Sequence, residues 1–381
     1  MEGPRAAKPE DLPEIVNLVN QIFMLPTGFP PIMGDLFPQL FNKNNVENLR
    51  VIVKDGHVVS HVGLWEGRVL ICGSWFNVGM IGSVCTHEAY RQRGYASALI
   101  ADALNKMKRD GMDFVMISGD RGLYRRFGCF KSGIVYLYND ASLSTDLGFE
   151  EKDFEVIICN NNHIKDIATV YQKEPVRFWR SLEDFKILTK FFITPPKYEG
   201  LQARIYLAMI NNEPLAYVAA FSLTKMKFLK ICEYAGSRTS VSNLIAHILK
   251  SEQPRSIELT VPFQDADLIR LLGRCGLRKP SINSEASMLI LNPESFFEKA
   301  KSYLAERAGV EVTSEINVEA YNDRVKFSIK GDSLVLEPSD FTSLLFGSPE
   351  KERNREKIKP IMNLLGEALP MPTPVYGLNY I

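Results

Sequence analysis

The sequence predicts a mixed α/β (α+β) chain of two or three domains. Three observations lead there. At 381 residues the chain holds two to three domains of about 150 residues each. Its first third reads helix, antiparallel strands, helix, strand, short helix, strand. The middle third repeats much of that order.

Glu10–Phe23 reads as a helix. Asp11 stands where a cap would be, Pro13 suits the first turn, and Ile15, Val16, Val19, Ile22 and Phe23 keep helical spacing. The next stretch, MLPTGFPPIMGDLFPQLF, is broken by Pro26, Pro30, Pro31 and Pro38. It predicts a long apolar loop, of the kind that borders binding sites. Within it, Phe29, Asp35 and Phe37 could meet a substrate, and Asp35 would attract a cationic amine. An exposed loop acid is the plainer reading. Arg50–Lys54 and His57–Trp65 flank Asp55-Gly56, a hairpin signal. A further strand over about Asn77–Cys85 carries Gly79 and Gly82, and glycine inside a strand marks a bulge or a close backbone approach.

Residues 94–110 give the clearest helix, with Tyr95, Ala96, Leu99, Ile100, Ala103, Leu104 and Met107 on one face. Asp113–Ser118 reads as a strand, Leu123–Phe127 as a short helix, and Phe130–Tyr138 as a strand. The middle third has strands at Arg204–Ile210, Leu215–Phe221, Lys230–Ala235 and Ile257–Val261. Its helices lie at Val241–Leu249 and Ala266–Cys275. The expected blocks are 1–148, 149–292 and 293–381. In the last, Ser295–Ala308 is helical, and three short strands follow. Ser339 is placed to cap a helix that runs to Phe346 and closes at Gly347. The run KERNREKIK reads as a solvated helix face. The proline-rich end LPMPTPVYGLNYI should be extended. Trp65, Trp75 and Trp179 are expected in the core.

Composition excludes several classes. Lys plus Arg and Asp plus Glu are equal at 45 each, so no whole-chain positive field exists to bind nucleic acid. No run of 18 apolar residues suggests a membrane span, and the N-terminus lacks the apolar core of a signal peptide. Six cysteines without a CxxC do not read as a disulfide framework. His57 and His61, four apart, fall in a segment that reads as strand and lack the fork of a helical His pair, so a metal site is not expected. The expectation is a reduced, cytoplasmic protein.

The chemistry concentrates in Val84-Cys85-Thr86-His87-Glu88-Ala89-Tyr90-Arg91-Gln92-Arg93-Gly94-Tyr95-Ala96. A strand ends, a basic loop turns, and a helix begins at a glycine. Gly94 allows close approach of a ligand to the backbone, and the freed amides with the helix dipole behind them make an anion site. Arg91 and Arg93 add charge, so the expected ligand is a pyrophosphate. Neither a Walker loop nor GxGxxG is present. The plain alternative is a basic helix start without a ligand. Cys85 beside the loop could be acylated, although a buried small hydrophobe is the simpler reading. His87 and Glu88 are expected on an exposed turn.

Arg-x-x-Gly-x-Ala in that setting resembles the acyl-CoA loop of the GNAT superfamily of N-acyltransferases. The short segment Leu-Tyr-Arg-Arg-Phe-Gly then places Tyr124 where GNAT-like domains face the thioester sulfur. A tyrosine there would protonate the departing thiolate, and a packed aromatic is the alternative. The middle copy has Gly236-Ser237-Arg238-Thr239-Ser240 and Leu272 at the matching places, so it keeps neither feature. Domain order, RQRGYA and LYRRFG together resemble the enhanced-intracellular-survival family of acetyltransferases.

That resemblance implies two tandem GNAT-like domains, a catalytic 1–148 and a degenerate 149–292. A sterol-carrier-protein-like domain follows over 293–381. It implies acetyl-CoA as cosubstrate, no metal, and transfer to a small-molecule or peptide primary amine of aminoglycoside, lysine or polyamine type. Val84, Cys85, Thr86, Arg91, Gln92, Arg93, Gly94, Tyr95 and Ala96 would hold the cosubstrate. A homo-oligomer, with a hexamer as the expected form, is implied too. In that family the terminal carboxylate helps accept the amine proton, which here falls to Ile381. A free α-carboxyl has a pKa of about 3.3–3.7, so it would need burial, or a water, to serve as a base. A merely packed tail is the rival. The rival functions are a non-catalytic acyl-CoA-binding regulatory module and a lipid carrier.

Overall fold

The computed structural model describes residues 1–139, 154–195, 198–274, 277, 280–329, 331–349 and 355–381. It divides into two compact units. The first is Met1–Ile134, Ser284–Thr373 and Tyr380–Ile381; the second is Val135–Asn283 and Pro374–Asn379.

The chain opens with a strand the sequence did not signal, β1 (Glu2–Ala6), which pairs antiparallel with β2 (Leu49–Lys54). Helix α1 (Leu12–Phe23) buries Ile15, Leu18 and Val19. Asp11 does not cap it. Its carboxylate accepts from Arg5 Nη1 and from the Lys8 amide, both at 2.7 Å, and so ties down the segment before the helix. The Pro-rich stretch forms one helical turn, α2 (Met33–Leu36), between loops.

Strands β2 and β3 (His57–Ile71) join through Asp55 and Gly56 at φ 53° and 82°. Two left-handed residues match the twist of a two-residue hairpin. β4 (Ser74–Thr86) follows, then α3 (Tyr95–Arg109), β5 (Phe114–Ile117), α4 (Gly122–Arg125) and β6 (Phe130–Tyr138). α3 packs Leu99, Ile100, Ala103 and Met107 against Val62, Leu64, Ile81, Val115 and Ile117. Gly79 allows this, because a Cβ there would overlap Met107.

The chain enters the second unit within β6. That unit holds β7 (Glu155–Ile158), α5 (Ile164–Tyr171), β8 (Val176–Phe178), α6 (Leu182–Ile193), β9 (Leu201–Ile210) and β10 (Glu213–Leu223). It continues with β11 (Phe228–Gly236), α7 (Arg238–Glu252), β12 (Ser256–Pro262) and α8 (Ala266–Arg274). Its strands run in the order β7-β9-β10-β11-β12-β6, the last supplied by Val135–Tyr138. Leu244, Ile245 and Ile248 of α7 fill its core.

The chain returns within β13 (Ser281–Ile290), whose Ser287–Ile290 pair antiparallel with β5. The first unit's order is thus β1-β2-β3-β4-β5-β13. Then come α9 (Pro293–Ala308), α10 (Val310–Ser314) and a three-stranded sheet of β14 (Ile316–Tyr321), β15 (Arg324–Ile329) and β16 (Asp332–Leu336). Helices α11 (Pro338–Phe346) and α12 (Arg355–Leu365) complete it. Phe76 and Phe114 meet Phe296 and Phe346, with Phe76 and Phe296 centroids 4.7 Å apart. Asp113, fully buried, takes Lys299 Nζ at 2.6 and 2.9 Å and Ser295 Oγ at 2.7 Å.

Some details depart from expectation. Glu337 is the residue before α11, and Ser339 lies inside it; Gly347 at φ 74° does close it. Trp75 and Trp179 are 37% and 46% exposed rather than core. The start of the charged run, 351–354, lies outside the described residues; its backbone is helical from Arg355. The terminal segment is neither helix nor strand over 371–376, and Gly377–Asn379 form a 3-10 turn. Among the described residues, no helix is long and apolar enough to cross a membrane.

Candidate active site

The site begins where two strands part. β4 and β5 run parallel with Val78–Ile81 opposite Phe114–Ile117, and the last link is the Ser118 amide to the Ile81 carbonyl at 3.1 Å. Beyond it, β4 continues alongside β3 alone, with the register slipping between His61 and Gly63. Ser83 sits in this bulge at φ 52°. A bulge turns the strand away from its neighbour, so residues 82–86 present an edge that β5 does not cover. The Ser83 hydroxyl is buried there with no partner among the described residues.

The first turn of α3 lies just after this edge. Gly94 precedes it at φ 79° and no side chain caps it. The first helical bond comes from Ala98 to the Gly94 carbonyl. The amides of Tyr95, Ala96 and Ser97 therefore lie in the uncapped turn that favours an anion. Among the described residues a Cβ on Gly94 would meet nothing within 4 Å. Gln92 at φ 63° turns the loop between the two arginines. Arg91 and Arg93 fold back onto their own loop. Arg91 Nε donates to the Thr86 carbonyl at 3.3 Å, and Arg93 donates to Ala89 at 3.2 Å over the Tyr90 ring.

A third arginine was not foreseen. Arg126 Nη2 reaches Ser97 Oγ at 3.4 Å, which brings a guanidinium to the first turn of α3. The doubled arginine of LYRRFG was the available signal. Arg125 is held by Asp120 at 2.6 and 2.9 Å, which leaves its neighbour for the helix.

Tyr124 on α4 is 3% exposed and packs among Leu99, Cys129 and Leu289. Burial pushes its phenol above the ordinary value of 10; Arg121 opposes the rise and Tyr380 adds to it. The group is therefore a protonated phenol across the physiological range. Cys85 is buried, and burial pushes its thiol up to about 12 against the pull of Arg121 and Arg91. It is no ready nucleophile. Val84 is core, Thr86 Oγ1 pairs with Ser60 Oγ at 2.8 Å, and His87 Nδ1 accepts from the Ala89 amide.

Ile381 lies at the parting of the strands. Ser118 Oγ donates to the Ile381 main-chain oxygen at 2.8 Å. Gly82 lies against the same group, and a Cβ there would overlap the Ile381 main-chain carbon and oxygen. Gln39 Nε2 donates to the Tyr380 carbonyl at 2.9 Å, and the Phe37 and Tyr380 rings lie 6.1 Å apart. Of the early-loop residues considered, Phe37 thus meets the terminus, while Phe29 and Asp35 are exposed. Ser118 and Gln39 carried no sequence signal, because only the folded chain brings them to the terminus.

The matching places of the second unit are filled differently. Ser237 precedes α7 and its Oγ accepts from the Ser240 amide. Arg238 is held by Glu174 at 2.7 and 2.8 Å and by Asp265 at 2.8 Å, and Glu174 also takes the Gly236 amide. Two carboxylates at a helix start repel a phosphate. Leu272 is wholly buried.

Residues 4–131 match the family model for the acetyltransferase (GNAT) domain. No curated protein matches the chain by sequence. Solved structures with the same fold span the whole length. A GCN5-related N-acetyltransferase from Anabaena variabilis is 15% identical, with TM-score 0.65, covering 97% of this chain and 96% of that one. A probable N-acyltransferase of unknown function from Enterococcus faecalis is 15% identical, with TM-score 0.69 and 97% of each chain covered. Eis1 from Mycobacterium abscessus is 11% identical, with TM-score 0.63 and 100% of each chain covered. The parted strands, the first turn of α3 and Tyr124 all lie in the first unit.

Proposed function

We propose that the chain is an acetyl-CoA-dependent N-acetyltransferase acting on a primary amine by direct transfer. The observation that carries this reading is the Ile381 carboxyl held by Ser118 where β4 leaves β5. A docked terminal carboxylate in that place gives the site a proton acceptor.

The residues fit the cosubstrate. The Tyr95, Ala96 and Ser97 amides, with Arg126 beside them, suit a pyrophosphate, and Arg91, Gln92 and Arg93 border it. The uncovered edge over Val84, Cys85 and Thr86 suits the pantetheine arm, and its amides can stabilise the oxyanion. The amine nitrogen bonds to the acetyl carbonyl carbon and the carbon–sulfur bond breaks. Tyr124 gives its proton to the departing thiolate. The proton lost by the nitrogen goes to the Ile381 carboxylate, directly or through water. Aminoglycosides, lysine side chains and polyamines are the acceptor classes of this reading.

In the same reading the second unit is a degenerate copy, supported by Glu174 and Asp265 at the start of α7 and by buried Leu272. Blocks 1–148 and 149–292 are then tandem GNAT-like domains, and 293–381 is the sterol-carrier-like part. Assembly as a homo-oligomer, hexameric in form, belongs to it and is checked by sedimentation.

The test is thiol release from acetyl-CoA by untagged protein against aminoglycosides, polyamines and lysine peptides. Amine-dependent release with matching acetylated product supports the reading. Acetyl-CoA binding without release to any amine contradicts it.

A further inference from the structure

The second unit contains a buried ion pair that grips the chain's own terminal segment. Arg180 and Glu233 side chains are 1% and 6% exposed and form two bonds, at 2.9 and 2.6 Å. Arg180 also donates from Nε and Nη2 to Asn379 Oδ1, at 2.8 and 2.6 Å. Glu233 accepts the Leu378 amide at 2.9 Å and the Tyr217 hydroxyl at 2.6 Å. The Arg180 guanidinium lies 4.0 Å from the Tyr171 ring centroid. Gly377 passes so close to Glu233 that a Cβ would overlap its carboxylate. Every one of these residues belongs to the second unit.

The pair is costly by itself, since two charges leave water to form it. Well-packed apolar residues of similar volume often serve a core at least as well as a buried ion pair. The ion pair does what such residues cannot. Its fork ends on the side-chain oxygen of Asn379, and its carboxylate ends on the amide of Leu378. Backbone and side chain of one short segment are both read, so only one register of the tail fits. Glu233 also lies past the last paired residue of β11 with β12, Ile231 opposite Leu259. In the first unit the matching stretch of β4, past Ile81, is where Gly82 meets Ile381.

We infer that Arg180 and Glu233 are positioning residues: they fix the register of the tail at Asn379, and thereby the carboxyl two peptide links later. This rests on the proposed role of the Ile381 carboxylate. The second copy has then kept its open strand edge as a receptor for an internal peptide, in place of a substrate.

Asn379→Ala tests it, because it removes the tail's side of the grip and leaves Arg180 paired with Glu233. Carboxypeptidase digestion of the folded full chain is the first readout. The expected result is release of Ile381 and Tyr380 at least tenfold faster than from the parent protein. Turnover is the second: kcat for amine-dependent thiol release falls at least tenfold, while the acetyl-CoA Kd stays within twofold. The third is a double-variant cycle. Asn379→Ala combined with loss of Ile381 is no slower than loss of Ile381 alone, because both act through one group. Unchanged carboxypeptidase release overturns the inference whether or not the protein acetylates an amine. So do multiplying losses in the cycle. A parent protein without transferase activity would instead sink the proposed function, and the digestion would still judge the grip.

Discussion

Ser118 Oγ and the Ile381 main-chain oxygen meet at 2.8 Å, just past the last pairing of β5 with β4. Ser118 is the residue whose amide makes the last link between β5 and β4. The hydroxyl of the same residue holds Ile381. One position therefore sets both where the strands part and where the last residue lies, which the proposed function uses as a carboxylate.

Gly82 sets how close that carboxylate comes. Gly82→Ala is expected to push the Ile381 carboxyl away, because the new Cβ falls on it. Misplacement of a reacting group by about 1 Å costs on the order of 10²-fold. Steady-state kinetics should show kcat down by that order and acetyl-CoA affinity unchanged.

Tyr124→Phe removes the hydroxyl and little else from a packed site. A general acid contributes about 10²–10⁴-fold, and kcat should fall within that range with little change in acetyl-CoA Kd. Burial holds this phenol above 10. It therefore ionises later than a free phenol, so kcat should show no falling limb from this group at mildly alkaline pH. A limb near pH 8 would remove Tyr124 from the acid role.

Gly94→Val places a β-branched residue at φ 79°. The left-handed region costs such a residue about 1–2 kcal/mol, and more when branched. The loop should relax out of shape and acetyl-CoA binding should weaken about tenfold or more. Arg126→Ala should weaken it less, and the loss should shrink as salt is raised. Calorimetric titration at two ionic strengths reads both.

His61 is fully buried, and burial lowers its pKa from 6.5 to about 3. Among the described residues its ring nitrogens make no hydrogen bond of ordinary geometry, and only an approach to the Arg50 backbone opposes the fall. Below pH 6.5 the unfolded chain takes up a proton that the folded one refuses. Stability is therefore lost as pH falls, at up to about 1.4 kcal/mol per pH unit, and the loss levels off near the folded pKa. His61→Leu should flatten that acid slope. Urea denaturation at pH 7 and pH 5 measures it, and an unchanged slope would assign the acid sensitivity to other groups.

Much of the first unit was legible because its signals are local. Asp55-Gly56 names its own turn, and the 94–110 periodicity names α3 to within a residue at each end. The glycines of β4 announced close approaches, and both proved real, Gly79 to Met107 and Gly82 to Ile381. What stayed hidden depends on distant partners. β1 is a strand only because β2 offers an edge, and its Gly3-Pro4 pair argues against one locally. β13 lies beside β5 although most of the second unit separates them in sequence. Asp11 looked like a cap until Arg5 claimed its carboxylate. Trp75 and Trp179 were expected inside because they are large and apolar, yet hydrophobic residues are often left at a surface.

The most direct test of the account is the terminal carboxyl itself. Untagged protein and protein extended by one C-terminal glycine are compared for amine-dependent thiol release and for acetyl-CoA binding. The extension replaces the Ile381 carboxylate with an amide and moves the charge one residue on. The account predicts turnover reduced at least a hundredfold with acetyl-CoA affinity kept. Equal turnover in the two proteins would contradict it, and would leave the tail a packed strap with no part in the chemistry.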